Sequence, residues 1–153
     1  MTIHFLHDTV PFLMNRISAQ ISASANTEFR KFGLNLLSAR VLVVLLVNKS
    51  ATVGELAEAT SIDPSTLSHI LRRLGRQGLF TKARQAHDNR SVLVKLTPKG
   101  KRLAEKCLDA VADHERAITR GVDPERIRRL KATLQEIYAN VASFGGEDPA
   151  SPR

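Results

Sequence analysis

The chain has 153 residues, the usual size of a single domain, and its 42% hydrophobic and 25% charged residues exclude wholesale disorder. A net charge of +8 and a pI near 10.3 indicate a polyanionic partner, either nucleic acid or an acidic membrane. The single cysteine, Cys107, excludes an intrachain disulfide framework and a zinc site built on several thiolates of one chain. It also favours a cytoplasmic protein over a secreted one.

The sequence predicts neither a membrane span nor a signal peptide. Its longest apolar run covers residues 41–47, whereas a helix that crosses a bilayer needs about 20 residues. The first residues carry no basic leader and no small-residue cleavage site. Residues 145–153 combine Gly, Pro, Ser and charge, and we expect them to be a disordered tail.

The positive charge is concentrated in one segment. Residues 72–102 hold ten of the 23 basic residues and one of the 15 acidic residues, Asp88, so this segment carries +9 and the remainder −1. A face kept basic for solubility would scatter its charges along the chain. Concentration within about 30 residues is typical of a site for nucleic-acid phosphates.

The elements predicted before this segment are helices. Asp8 or Thr9 can cap a first helix, which should end near Gly33. Ser38 is the expected cap of a second helix, which carries the apolar run 41–47. The β-branched residues of that run would also suit a strand, but the surrounding pattern favours a helix.

A helix-turn-helix pattern follows. Thr52 and Glu55 form a capping box for a short helix, and Asp63 with Pro64 starts another after a tight turn. Gly78 ends this second helix. Its apolar face is expected to hold Leu67, Ile70, Leu71 and Leu74.

Beyond Gly78 the hydrophobic period changes from helical to strand-like. Residues 79–84 and 91–96 predict two strands, and the polar residues 85–90 predict the turn between them, so that the hairpin has a basic tip. Long amphipathic helices then begin at Pro98 and Pro124, each after a capping residue.

The predicted fold is mainly α with a small β-hairpin wing: a winged helix-turn-helix flanked by amphipathic helices at both ends. The expected parts form one compact domain. They are an N-terminal dimerisation helix in 1–34, the DNA-binding lobe in 35–100, C-terminal dimerisation helices in 101–144, and the tail in 145–153.

Three stretches carry a family resemblance: residues 74–80 (LGRQGLF), Asp88-Asn89-Arg90, and residues 94–100 (VKLTPKG). In this order they resemble the helix end, the Asp-x-Arg wing and the Leu-Thr-x-x-Gly strand exit of the MarR family, from about His7 to Ala142. The resemblance implies a homodimeric, sequence-specific regulator of transcription that binds a palindromic operator in double-stranded DNA. It also implies a repressor that a small aromatic or phenolic acid releases.

The helix from Pro64 to Gln77 is expected to enter the major groove. Its short polar side chains suit base edges and phosphates, and at least one of Arg72 and Arg73 should bond phosphate or guanine. The predicted contacts are Pro64, Ser65, Thr66, Ser68, His69, Arg72 and Arg73. Two plainer interpretations stay open, namely that Ser65 only satisfies backbone groups at the helix start and that His69 is a surface histidine.

The resemblance also gives the wing residues their roles. Arg90 would reach into the minor groove, and Asp88 would brace it or a neighbouring arginine, for which Arg84 is the expected partner. Narrow A·T-rich minor grooves attract guanidinium groups because they concentrate negative potential. The alternative is that Asp88 and Asn89 merely form the turn.

The ends of the chain carry apolar residues beyond what a small core needs, and these are the dimer candidates: Ile3, Phe5, Leu6, Ile127, Leu130, Ile137 and Tyr138. The alternative is that these apolar residues only cover the core of the monomer.

An effector site is predicted from Phe12, Arg16, Phe32 and Arg40, where an arginine could hold a carboxylate. The alternative is that these arginines are solvated.

Other classes of function find less support. A nucleic-acid-binding protein without a regulatory role would explain the basic segment but not the spare helices. Nothing in the sequence indicates an enzyme, a cofactor or a metal site, since no nucleophile motif, phosphate-binding glycine loop or ligand cluster is present. Cys107 lies on an apolar helix side, where a thiol is usually inert.

Overall fold

A computed structural model of the chain describes residues 7–85 and 88–144, with only the backbone at 84, 85, 88–91 and 144. The predicted mainly α fold with a small wing is confirmed. In chain order the elements are α1 (Val10–Arg30), α2 (Leu36–Asn48), β1 (Ala51–Thr52), α3 (Val53–Thr60), α4 (Pro64–Arg76), β2 (Phe80–Gln85), β3 (Asp88–Leu96), α5 (Pro98–Ile118) and α6 (Pro124–Phe144). The expected tail, 145–153, lies outside the described residues.

Contacts within the chain form two compact units, the first ending at His114 and the second beginning at Glu115. The first unit contains the core, with α2 among its most buried elements. The fully buried large side chains there include Val41, Leu42, Leu45, Leu56, Leu67, Leu74, Leu79 and Val94. None of the helices among the described residues is long and apolar enough to cross a membrane.

The start of α2 corrects one prediction. Asn35, not Ser38, is the cap: the Asn35 side chain accepts a hydrogen bond from the Ser38 backbone N–H at 2.9 Å. Ser38 lies in the first turn of the helix and is fully buried. The preference for a helix over residues 41–47 is confirmed, and that helix ends at Asn48.

The helix-turn-helix forms where the sequence predicts it. Both bonds of the capping box are present, with Thr52 accepting from the Glu55 backbone and Glu55 accepting from Thr52. The turn between α3 and α4 places Ser61 in the left-handed region, at φ 52°. The Asp63 side chain accepts from the Thr66 backbone at 2.9 Å, and Gly78 follows α4 at φ 69°.

The sheet is antiparallel in the order β1-β3-β2. The short strand β1, which the sequence analysis missed, pairs Ala51 with Val94. The turn predicted over 85–90 is too long, because β3 already begins at Asp88, which pairs with Gln85. Backbone pairing extends both strands beyond their apolar residues. It includes residue 85 in β2 and residues 88–90 in β3, which their polarity had assigned to the turn.

The start of α5 is joined to the end of α4 through backbone contacts. The Leu79 carbonyl accepts from the Thr97 backbone at 3.1 Å, and the Thr97 hydroxyl donates to the Gly78 carbonyl at 2.8 Å. The same hydroxyl accepts from the Gly100 backbone at 3.1 Å. A Cβ on Gly100 would lie 1.8 Å from the Leu79 carbonyl oxygen. The Leu-Thr-x-x-Gly motif thus allows the start of α5 to pack closely against the backbone that follows α4.

We expect Gly100→Ala to lower the free energy of unfolding by about 2–3 kcal/mol, because the added methyl group meets backbone that must move. Urea denaturation measures this change. The control is Gly54→Ala in α3, where a Cβ meets nothing within 4 Å. That variant should be neutral or slightly stabilised, since alanine favours helix. Equal stability of the two variants would contradict the close packing of Gly100.

Candidate nucleic-acid interface

Helix α4 has a polar outer side opposite its leucine face. At about 100° per residue, its outward positions recur every three or four residues. The residues on this side are Ser65, Ser68, His69, Arg72 and Arg76, all of them exposed. Thr66 is half-buried and Pro64 exposed at the two edges of this face. Most of the predicted set is therefore brought together, and Arg76, which the sequence analysis counts only as charge, joins it.

The first turn of α4 is held by its own hydrogen bonds. Bonds from the Thr66 side chain and backbone hold the pKa of Asp63 below its usual range, so this cap stays ionised at neutral pH. The Ser68 hydroxyl donates to the Pro64 carbonyl at 2.8 Å. The Ser68 oxygen can still accept a hydrogen bond from an external donor. Ser65 and His69 are exposed on the same side of the helix.

Two neighbouring arginines of α4, Arg72 and Arg73, are both exposed but differ in their hydrogen bonding. Arg73 donates to the Ser38 hydroxyl and, at 3.3 Å, to Oδ1 of Asn35. Within the described part of the chain, no hydrogen bond or ion pair engages the guanidinium of Arg72, which is exposed. Arg72 is thus the arginine of this pair that is free to reach an external anion.

Basic residues continue at the base of the wing. Lys82 and Lys95 are exposed on β2 and β3, and the Lys82 ammonium lies 6.0 Å from the centre of the Phe80 ring. Lys99 donates to the Gln77 carbonyl at 2.9 Å and so caps the end of α4. The side chains of Arg84, Asp88 and Arg90 lie outside the described residues, and their roles at the tip stay predictions.

The two end helices expose apolar side chains. On α1 these are Val10, Leu13, Met14 and Ile17, and on α6 they are Leu130, Leu134, Tyr138 and Val141. Of the predicted dimer residues, Leu130 is 52% and Tyr138 69% exposed, and Ile127 and Ile137 are half-buried. The other three, Ile3, Phe5 and Leu6, lie outside the described residues.

The predicted effector residues form one close pair and two separate positions. The Arg16 guanidinium carbon lies 5.8 Å from the centre of the Phe12 ring, against which His7 packs edge-on. Phe32 packs against the core, and Arg40 donates to the Thr60 carbonyl at 3.2 Å. The sequence did not indicate an open surface groove that the structure shows. None of the four predicted effector residues lines this groove, which is formed by Asn48, Ser50, Ala51, Glu55, Glu58 and Ala59.

The remaining reactive side chains offer little chemistry. Burial raises the pKa of the Cys107 thiol to about 11, so a negligible fraction is thiolate at neutral pH. His114, which the sequence analysis left without a role, bonds the Ser24 hydroxyl through Nε2 at 2.7 Å. Among residues 7–85 and 88–144, no group of three or more His, Cys, Asp or Glu side chains could hold a metal ion.

Comparison with known proteins agrees with this architecture. Residues 25–107, more than half of the chain, match the family described as transcriptional regulator SarA/Rot. The organic hydroperoxide resistance transcriptional regulator of Bacillus subtilis is 31% identical over 104 residues, which cover 68% of this chain and 71% of that protein. An HTH-type transcriptional repressor of Mycobacterium bovis is 25% identical over 145 residues, 94% of this chain and 99% of the repressor.

Solved structures give the same result. A MarR family transcriptional regulator from Silicibacter pomeroyi superposes with a TM-score of 0.81 at 26% identity, over 93% of this chain and 95% of that one. The winged helix, the motifs at its junctions and these relatives agree with one another. This chain belongs to the MarR family of winged helix-turn-helix transcriptional regulators, and its central part matches the SarA/Rot regulators.

Proposed function

We propose that the protein is a homodimeric repressor that binds a palindromic operator and leaves it when a small aromatic or phenolic acid binds. The observation that carries this proposal is the outer side of α4, where exposed polar and basic side chains stand opposite a buried leucine face. Repression is taken from the Mycobacterium bovis relative, which is named a repressor. A regulator of this kind acts in the cytoplasm, where bacterial DNA lies.

In this proposal α4 enters the major groove. Its short side chains read base edges or bind nearby phosphates, and its free arginines bind phosphate or a guanine edge. The assigned residues are Pro64, Ser65, Thr66, Ser68, His69, Arg72 and Arg76. Lys82 and Lys95, exposed at the base of the wing, add phosphate contacts.

The wing extends the contact into the minor groove. The described backbone supports this role, because Asp88 to Arg90 continue β3 directly beyond the basic base of the hairpin. Arg90 is the inserted residue in the proposal, and Asp88 braces it or Arg84. A lone carboxylate in a segment of +9 would repel DNA phosphate unless an arginine neutralised it.

Dimerisation is supported by apolar surface that the described chain leaves uncovered. Over residues 124–143, helix α6 has no buried residue, although Leu130, Leu134, Tyr138 and Val141 follow one another at spacings of three and four. Exposed stripes of this kind mark surfaces that another protein covers. A second copy is the occupant that a two-fold operator requires.

The effector is proposed to bind beside Phe12 and Arg16, where a guanidinium already lies near an aromatic ring. This pair offers a charge for a carboxylate and a face for a ring. Phe32 and Arg40 stay in the proposed lining, although Arg40 is engaged by the Thr60 carbonyl. An oxidant acting on Cys107 is disfavoured, because that thiol is buried and has a raised pKa.

The function is tested by gel shift with the DNA that flanks the coding sequence. We expect saturable binding to one short palindrome and much weaker binding to a scrambled duplex. Affinity for the palindrome should fall steeply with salt, because a dimer would neutralise on the order of 6–10 phosphates. Added salicylate should release the operator from the protein but not from an Arg16→Ala variant. Equal binding to scrambled DNA, or affinity that is flat with salt, would contradict the proposal.

The dimer is tested by placing charge on the apolar stripe of α6. We expect Leu130→Glu combined with Val141→Glu to give folded monomers in sedimentation equilibrium, because buried carboxylates at an interface have no partners. The matched control is Ala132→Glu combined with Ala139→Glu, which adds the same charge to the opposite side of the helix. A wild-type chain that is monomeric at micromolar concentration would contradict the dimer, as would dimeric stripe variants.

A further inference from the structure

Arg73 occupies a different position on α4 from the other basic residues. At about 100° per residue, it lies roughly 80° from Ser65 around the helix, on the flank between the outer side and the buried face. Arg72 and Arg76 lie on the outer side itself. From this flank the Arg73 side chain reaches the start of α2, where it donates to Ser38 and Asn35.

The two acceptors of Arg73 are fixed in place. The Ser38 hydroxyl belongs to a fully buried residue in the first turn of α2. Asn35 Oδ1 is the cap of that helix and also accepts from the Ser38 backbone. The side chain of Asn26 in α1 also accepts from the Leu36 backbone at 2.8 Å, which adds a further hydrogen bond at the same helix start.

The buried face of α4 packs through apolar contacts, which are non-directional and fix the rotation of the helix less sharply than an angle-dependent bond does. The hydrogen bonds that a guanidinium donates depend on both distance and angle. A bond from the flank of α4 to a buried hydroxyl on α2 thus sets the direction in which the outer side faces.

We propose that Arg73 is a positioning residue: its guanidinium ties the recognition helix α4 to the start of α2, through Ser38 and Asn35, and does not serve as a phosphate contact. The inference rests on the proposed function, since it concerns how α4 is presented to an operator. It replaces the sequence-based expectation that Arg73 bonds phosphate or guanine.

The test is a double-mutant cycle in operator binding with Arg73→Ala, Ser38→Ala and both together. We expect each single variant to bind the operator about tenfold more weakly, the loss typical of a hydrogen bond to a charged group, and the double variant to bind no more weakly than either. Affinity for scrambled DNA and the slope of affinity against salt should be unchanged.

Arg72→Ala is the matched control, one residue away on the outer side. It should weaken binding to every sequence and reduce the salt slope by about 1, as loss of a phosphate contact does. If Arg73→Ala behaves in this way while Ser38→Ala binds normally, Arg73 contacts DNA and the proposal is wrong. Normal operator affinity of folded Arg73→Ala and Ser38→Ala proteins would overturn it equally.

The tether can also be tested without DNA, by measuring the free energy of unfolding in urea for the same two single variants and the double variant. Coupled losses of stability are expected for Arg73 and Ser38, whereas additive losses would show that no tether exists. If the wild-type protein binds no operator, the proposed function fails, and the unfolding cycle still decides whether the tether is present.

Discussion

The backbone around Leu79 is the point on which the arrangement of the lobe depends. The Leu79 carbonyl accepts from the Thr97 backbone N–H and lies where a side chain on Gly100 would be. The Gly78 carbonyl accepts from the Thr97 hydroxyl, and the Gln77 carbonyl accepts from the Lys99 ammonium. These contacts bring the end of α4, the start of β2 and the start of α5 to one place. Because these contacts involve backbone on both sides, α4 and the wing keep a defined position relative to the start of α5.

Ion pairs contribute little to the stability of the described chain. The ion pairs Lys31–Glu28, Arg128–Glu125, Arg129–Glu125 and Lys131–Glu115 all join exposed side chains, and such pairs are worth about 0–1 kcal/mol each. Apolar burial in α2, α3 and α4 supplies the stability. Among the described side chains of the basic segment, Arg73 and Lys99 donate hydrogen bonds within the chain, whereas exposed cations such as Arg72 and Lys95 are available to a partner.

Local signals predicted the helix starts well, and contacts distant in sequence explain the errors. Thr52 with Glu55 and Asp63 with Pro64 act within four residues, and both are found as predicted. Ser38 and Asn35 are equally good caps by residue type, and nothing local indicates that Ser38 is buried beneath an arginine 35 residues away. The two-residue strand β1 and the true start of β3 depend on pairing across the sheet. The outer side of α4 was predictable from its period, but the engagement of Arg73 was not.

The central claim is that two copies of this lobe present α4 to successive major grooves, with the wings beyond them. Hydroxyl-radical footprinting of the operator, with the wild-type protein and an Arg90→Ala variant, tests it most directly. The account predicts two protected half-sites with centres about 10 base pairs apart, plus minor-groove protection outside them that Arg90→Ala removes. Protection of a single half-site, or outer protection that persists without Arg90, would contradict it.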